Sequence, residues 1–261
     1  MAKANFTKTA KEVIETEIQS LKKLKKNINN SFNKAVQTII NCKKGKIIIS
    51  GVGKSGIIAK KIASTLSSVG TPSFFVDANS CSHGDLGQIS SNDVLILISL
   101  SGETNELKNI IQYANRNKIK LIGIVSKKNS VLYRAADIKL HIPEVKEAGL
   151  GIIPTSSTNI QLAIGDALAV ASLNKKKFNK YDFSRLHPSG NFGSQLKTVE
   201  DLMIKGNSYN KLSLGRCVVH YHTNGEIGVT GFFDAGTYKA NGRDLSEALQ
   251  WTQLIMTADT R

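Results

Sequence analysis

The sequence predicts an α/β fold in which helices cover both faces of a parallel sheet. Short runs of β-branched and aliphatic residues alternate with segments whose apolar residues recur at helical spacing. Strands that alternate with helices are joined by right-handed crossovers and therefore assemble into a parallel sheet. The chain has 261 residues, which is enough for one such domain and some appended structure. The predicted strands span residues 46–50, 73–76, 94–99, 120–125 and 138–142. The helix after the first strand is predicted over residues 55–69, and a loop is predicted over residues 79–87.

Residues 1–45 are predicted to form helices that pack on the core of the domain. Apolar residues recur at helical spacing from Val13 to Ile28 and again from Phe32 to Ile40. The break is expected near residues 29–31, where Asn-Asn-Ser favours the end of one helix and the cap of the next. Each helix has one apolar stripe, and we expect these stripes to serve both packing on the domain and contacts between subunits.

The segment that joins the first strand to the next helix, residues 46–56, predicts an anion site. Isoleucines give way to Ser-Gly-Val-Gly-Lys-Ser-Gly, and such a turn directs the first N–H groups of a helix at a phosphate. A sugar phosphate, a dinucleotide and a tight turn without a ligand all fit this segment. Asp77, about 20 residues beyond Gly56, fits the acidic residue of a dinucleotide site. Lys54 favours a compact phosphate monoester, because a pyrophosphate is usually cradled by backbone alone.

Two further hydroxyl-rich segments lie directly before predicted helices. Residues 99–104, Ser-Leu-Ser-Gly-Glu-Thr, end an apolar strand and open a helix, so they would hold a second side of the same phosphate. The alternative for this segment is a capping box with Ser101 or Thr104 as the N-cap and Glu103 in the first helical turn. Residues 155–158, Thr-Ser-Ser-Thr, precede another apolar helix and resemble a generous N-cap.

Composition limits the class of partner. The net charge of +15 raises nucleic acid as a partner, but the lysines are scattered and aromatic residues make up only 6% of the chain. We therefore expect no nucleic-acid partner. Cys42, Cys81 and Cys217 have no paired spacing, which is typical of a reducing compartment. No signal peptide and no apolar run of spanning length is recognised, so a cytoplasmic protein without membrane contact is expected.

Seven motifs occur in order over roughly residues 5–200, at residues 51–56, 83–87, 99–104, 146–148, 154–158, 165–169 and 187–188. Together they resemble the sugar isomerase (SIS) domain family and, within it, the D-arabinose 5-phosphate isomerases. The resemblance implies a five-stranded, flavodoxin-like three-layer sandwich. It also implies a homotetramer with sites at subunit junctions, and interconversion of D-ribulose 5-phosphate and D-arabinose 5-phosphate without a cofactor. The product would supply synthesis of the acid sugar Kdo for lipopolysaccharide or capsule.

The same resemblance implies catalytic roles for Lys54, Glu103, Glu147 and His187. Glu147 is the preferred carbon proton carrier and Glu103 the second candidate; Lys54 would stabilise an enediolate and His187 would assist ring opening. Burial is expected to raise the pKa of the carbon base. The substrate-binding residues are predicted to be Ser50, Gly51, Gly53, Ser55, His83, Ser99, Ser101, Thr104, Thr155, Ser156 and Ser157.

Several features depart from the family pattern or stay open. The segment between Glu147 and Pro154 lacks the usual Cys-Pro and is one residue shorter, which leaves the placement of Glu147 open. His83 is read as a sugar-facing residue and not as a metal ligand, although Cys81 and Asp85 are near in sequence. The domain is predicted over residues 46–196. Residues 197–261 would form a truncated CBS-like tail with strands at 217–221 and 228–233 and a helix at 245–255.

Two other functions are compatible with the residues. One is a non-catalytic SIS module that senses a sugar phosphate. The other is a nicotinamide-dependent oxidoreductase, in which Asp77 would meet a ribose.

Overall fold

The computed structural model describes residues 6–179, 182–183, 186–187, 217–221 and 227–231. Contacts divide the chain into two units, Met1–Leu186 and His187–Arg261. The first unit carries the predicted five-stranded parallel sheet, in the order β2-β1-β3-β4-β5. Its strands are β1 (Ile47–Gly51), β2 (Ser73–Phe75), β3 (Val94–Ile98), β4 (Lys120–Val125) and β5 (Ile138–His141). This order reverses direction between β1 and β3, and ligands of such sheets bind beyond the carboxyl ends of the strands at that point.

The α-helices of the described residues match the predicted alternation with small shifts at their ends. They are α1 (Phe6–Asn27), α2 (Asn30–Asn41), α3 (Gly53–Ser68), α4 (Ala78–Cys81), α5 (Asn105–Arg116), α6 (Val131–Ala135) and α7 (Ser156–Lys176). The break between α1 and α2 lies where Asn29 caps α2 through a hydrogen bond from Ser31 N. The segment predicted as a loop over residues 79–87 instead contains part of α4 and the start of a 3-10 turn, Asp85–Gln88.

The sheet separates two apolar layers, because alternate residues of a strand face opposite sides. Ile47 and Ile49 pack with α1, α2, α3 and α7, whereas Ile48 packs with α4, α5 and α6. The central strands β1 and β3 are fully buried along their length. Burial on both faces explains their unbroken aliphatic sequence, since each large side chain removed from water contributes about 1.5–3 kcal/mol.

Helices α3 and α7 lie side by side and run in the same direction. A Cβ atom added to Gly165 would lie 2.2 Å from the side chain of Ile62, so the helices approach closely at that point. Further along, Lys176 Nζ donates to Gly70 O at 3.1 Å and to Thr71 Oγ1 at 2.9 Å, just beyond the end of α3. The middle of α3 therefore contacts the middle of α7, and the end of α3 contacts the end of α7. The two N-termini accordingly lie at the same edge of the sheet.

The second unit contributes one described pair of antiparallel strands, β6 (Cys217–Tyr221) and β7 (Ile227–Gly231). The predicted strand at 217–221 matches β6, and the one predicted at 228–233 overlaps β7. The predicted helix at 245–255 and the CBS-like entry near residues 198–203 lie outside the described residues.

Candidate active site

The carboxyl ends of β1 and β3 adjoin at the reversal point of the sheet. Gly51 pairs with Ile98 in the parallel register, and the next residue of each strand begins a loop. Helix α3 begins at Gly53, two residues earlier than predicted, with Val52 at the N-cap and no side chain capping its N–H groups. Lys54 is exposed in this first turn, and Ser55 is half-buried. An uncapped helix N-terminus that carries a lysine has donors and positive charge available for an anion.

The hydroxyl loop after β3, residues 99–104, is organised by its own hydrogen bonds. Ser99 is buried, and its Oγ accepts from Gly102 N at 2.9 Å and lies 2.8 Å from Thr104 Oγ1. Ser101 Oγ accepts from Glu103 N at 3.2 Å. Gly102 has φ +67°, a conformation that disfavours other residues. The loop is therefore held in shape by its polar residues, while the Ser101 and Thr104 side chains are half-buried.

The capping-box alternative for this loop is wrong. Thr104 occupies the N-cap position of α5, but its side chain makes no capping hydrogen bond, and Glu103 precedes the helix instead of lying in its first turn. Glu103 Oε1 accepts from Val131 N at 2.9 Å, at the start of α6. This bond supplies a partner for one of the donors that every helix N-terminus leaves free. Glu103 thus joins the loop after β3 to the next helix along the sheet.

Glu147 lies at the N-terminus of α7, next to that of α3. Its Oε2 accepts from Thr155 N at 2.9 Å, from Thr155 Oγ1 at 3.2 Å and from Ser157 N at 3.2 Å. Burial alone would raise the pKa of Glu147, but hydrogen bonds from Ser157 and Thr155 outweigh it, and the pKa is lowered. The sequence predicts a raised pKa for the carbon base, whereas the net pKa of Glu147 is lowered because the hydrogen bonds outweigh the effect of burial.

Two of the predicted substrate ligands are engaged by this carboxylate. Thr155 and Ser157 both donate to Glu147, so the N-terminus of α7 is already neutralised by a negative charge. By contrast, α3 has no such partner. An anion that approaches this edge of the sheet therefore meets a favourable terminus at α3 and a carboxylate at α7.

Three buried serine hydroxyls at this edge have no hydrogen-bond partner within the described part of the chain. They belong to Ser50 at the end of β1, Ser126 after β4 and Ser156 at the start of α7. Ser50 and Ser156 were predicted to bind substrate; Ser126 was missed. A signal for Ser126 existed, because it follows β4 in the way that Ser99 follows β3.

His83, Asp77 and His187 are the remaining residues for which the sequence suggests a role. His83 is exposed between α4 and the 3-10 turn, and no group of three metal-ligating side chains exists among the residues that the structure describes. Asp77 caps α4, where its Oδ1 accepts from Asn79 N at 2.8 Å and Ser80 N at 3.1 Å. This local role accounts for Asp77 without a ribose. His187 begins the second unit, and its predicted role stays a prediction.

No helix among the described residues is long and apolar enough to cross a membrane.

Comparison with known proteins identifies the family. The SIS domain model matches residues 39–171. The chain is 44% identical over 202 residues to the arabinose 5-phosphate isomerase KdsD of Francisella tularensis, covering 76% of this chain and 62% of that protein. It is 42% identical over 202 residues to the protein RP505 of Rickettsia prowazekii, covering 77% of this chain and 63% of that protein. The chain thus spans somewhat less than two thirds of the length of these curated relatives.

One solved structure is matched over its whole length. The chain is 36% identical to the E. coli CFT073 protein c3406 in complex with arabinose 5-phosphate, with a TM-score of 0.69, covering 72% of this chain and 100% of that one. The family model covers half of the chain, and the five-stranded sheet has the same fold as this relative. The chain belongs to the SIS domain family.

Proposed function

We propose that the protein is an aldose–ketose isomerase that interconverts D-ribulose 5-phosphate and D-arabinose 5-phosphate. The observation that carries this proposal is the pairing of two parallel helix N-termini at one sheet edge. The terminus of α3 is uncapped and bears Lys54, and that of α7 holds the carboxylate of Glu147. Relatives named arabinose 5-phosphate isomerase, and a relative in complex with that sugar phosphate, support the choice of substrate.

The phosphate would bind at the uncapped N-terminus of α3. The first N–H groups of this helix and the Lys54 ammonium supply positive charge, and the hydroxyl loop 99–104 lies across β1–β3 from them. Ser99 is buried, and both Gly102 N and Thr104 Oγ1 contact its hydroxyl. The candidate side-chain ligands are therefore the half-buried Ser55, Ser101 and Thr104. The α7 terminus, already neutralised by Glu147, would face the sugar and not the phosphate.

The isomerisation needs a group that moves one proton between adjacent carbons. With Glu147 as that group, the carboxylate takes the proton from C2 of the aldose while the C2–H electrons form the C1=C2 bond of an enediol and O1 gains a proton. The carboxylate then returns its proton to C1, and O2 loses its proton as C2=O forms. The lowered pKa of Glu147 keeps it ionised, which is the form that accepts a proton. Lys54 would stabilise charge on the enediolate oxygens.

The assembly and the cellular role are further parts of the proposal. Phe6, Ile14 and Ile18 are exposed on α1, with 80%, 56% and 38% of their surface accessible. Such side chains support a homotetramer in which α1 contacts another copy of the chain. In that assembly His187 would assist ring opening. We further propose that the enzyme is cytoplasmic, that no cofactor is required, and that the product supplies Kdo synthesis.

One observation favours a second function, a non-catalytic module that senses a sugar phosphate. The Glu147 carboxylate makes three hydrogen bonds that stabilise the start of α7, which is a complete structural role by itself. A sensor would keep this arrangement and bind the phosphate at α3 without turnover.

Incubation with D-arabinose 5-phosphate in deuterated water tests both functions. The isomerase predicts ribulose 5-phosphate with deuterium at C1, and Glu147→Gln is expected to abolish exchange while phosphate binding persists. Glu144→Gln is the matched control, because Glu144 is an exposed carboxylate close by in the sequence. Ligand binding without turnover or exchange in the wild-type protein would favour the sensor.

A further inference from the structure

Thr155 contacts Glu147 through both its backbone and its side chain. Its N–H lies 2.9 Å and its hydroxyl 3.2 Å from Glu147 Oε2, and Ser157 N also donates to this oxygen. All three hydrogen bonds therefore converge on Oε2. The Ser157 side chain also hydrogen-bonds this carboxylate. A carboxylate held in this way has a fixed plane and orientation.

The hydroxyl of Thr155 has a second partner that determines the direction of its proton. Ala148 N donates to Thr155 Oγ1 at 2.9 Å. Since an N–H group can only donate, the hydroxyl accepts from Ala148 and has its single proton left for Glu147. This chain of donors ends on a carboxylate that only accepts, and it therefore matches the ionised form of Glu147. Ala148 is buried, so its N–H needs this partner.

We propose that Thr155 is a positioning residue for Glu147 and not a ligand of the substrate. Its hydroxyl anchors Oε2 beside the N–H groups of Thr155 and Ser157, and leaves Oε1 as the oxygen that carries the proton from C2 to C1 of the sugar. The inference rests on the isomerase function proposed above. It assigns different tasks to the two oxygens of a single carboxylate.

The test compares Thr155→Val, Thr155→Ser and Thr158→Val in the full chain by the pH dependence of kcat/KM for D-arabinose 5-phosphate. Valine keeps the shape and the N–H but lacks the hydroxyl. Serine keeps the hydroxyl. Thr158→Val is the matched control, because Thr158 Oγ1 donates to the Thr155 carbonyl oxygen at 2.8 Å and makes no hydrogen bond to Glu147.

For Thr155→Val we expect kcat to fall about tenfold with little change in KM, since the lost bond is one to a charged group. The acid limb should move to higher pH, because removing a donor to the ionised form raises the pKa of Glu147. Thr155→Ser should have a kcat and an acid limb close to those of the wild-type protein. Thr158→Val should leave the acid limb of the kcat/KM profile at the wild-type pH. If the valine variant does not fold, Thr155→Ala removes the same hydroxyl with a smaller side chain.

Two results would overturn the inference while leaving the function intact. One is an active Thr155→Val protein whose acid limb has not moved. The other is a rise in KM with unchanged kcat, which would make Thr155 a substrate ligand. A wild-type protein that binds the sugar phosphate without converting it would contradict the isomerase function, and the inference with it.

Discussion

Replacing Gly102 with alanine is expected to destabilise the domain more than the same change at another glycine of similar backbone conformation. Gly102 has φ +67°, and a Cβ atom built there would lie 2.1 Å from Ser130 Oγ, 2.6 Å from Ser130 Cβ and 2.7 Å from Val125 Cγ2. These atoms cannot all move aside, because Val125 belongs to the buried strand β4 and Ser130 caps α6 through Tyr133 N.

The expected loss in the free energy of unfolding has two parts. An alanine held at positive φ costs about 1–2 kcal/mol of backbone energy. Overpacking against Ser130 and Val125 adds about 1–3 kcal/mol. Together they give a loss of about 2–5 kcal/mol in the free energy of unfolding. At roughly 2–4 °C per kcal/mol for a domain of this size, the Tm should fall by about 4–20 °C.

The variant Gly149→Ala separates the backbone cost from the overpacking cost. Gly149 has φ +63°, but no atom lies within 4 Å of a built Cβ, so alanine there has the backbone cost without the overpacking. Thermal unfolding followed by circular dichroism, at one protein concentration for all variants, measures both. The Gly102 variant should melt roughly 2–12 °C below the Gly149 variant. Equal melting temperatures would refute the close contact with Ser130 and Val125.

Three further predictions concern the charged residues of the site. Lys54→Met should lower turnover about 100-fold. It should also leave the Tm unchanged or slightly higher, because a cation at a helix N-terminus is unfavourable by about 0.3–1 kcal/mol; a lower Tm would contradict this placement. Glu103→Ala should cost about 0.5–2 kcal/mol in denaturant unfolding, since Val131 N loses its acceptor, and Glu103→Gln should cost less. The lowered pKa of folded Glu147 gives stability that is fully present above its unfolded pKa and is lost as pH falls through the folded pKa. Glu147→Gln should therefore flatten the loss of Tm in acid, and an unaltered acid profile would argue against these hydrogen bonds.

The parallel sheet and the positions of the loops after β1 and β3 could be predicted from sequence because both depend on local pattern. The unbroken aliphatic runs of β1 and β3 are typical of strands that are buried on both faces. Glycine and hydroxyl residues directly after these runs indicate the loops at the carboxyl edge of the sheet. The predicted start of α3 was two residues late, since a helix that begins at glycine without a side-chain cap has little local signal.

The sequence by itself determined that the glycine and hydroxyl loops after β1 and β3 lie at the carboxyl edge of this sheet, and the tertiary structure alone decided which partners their side chains contact. Glu103 reaches Val131 because β3 and β4 are neighbours, and Glu147 caps α7 because the chain folds back between residues 148 and 154. Helices α3 and α7 run in the same direction because each returns along one face of the sheet after one of its parallel strands, β1 and β5. The spacing of apolar residues predicts which side chains are buried. The partner and the charge state of a polar side chain depend on donors that only the folded chain brings within about 3 Å.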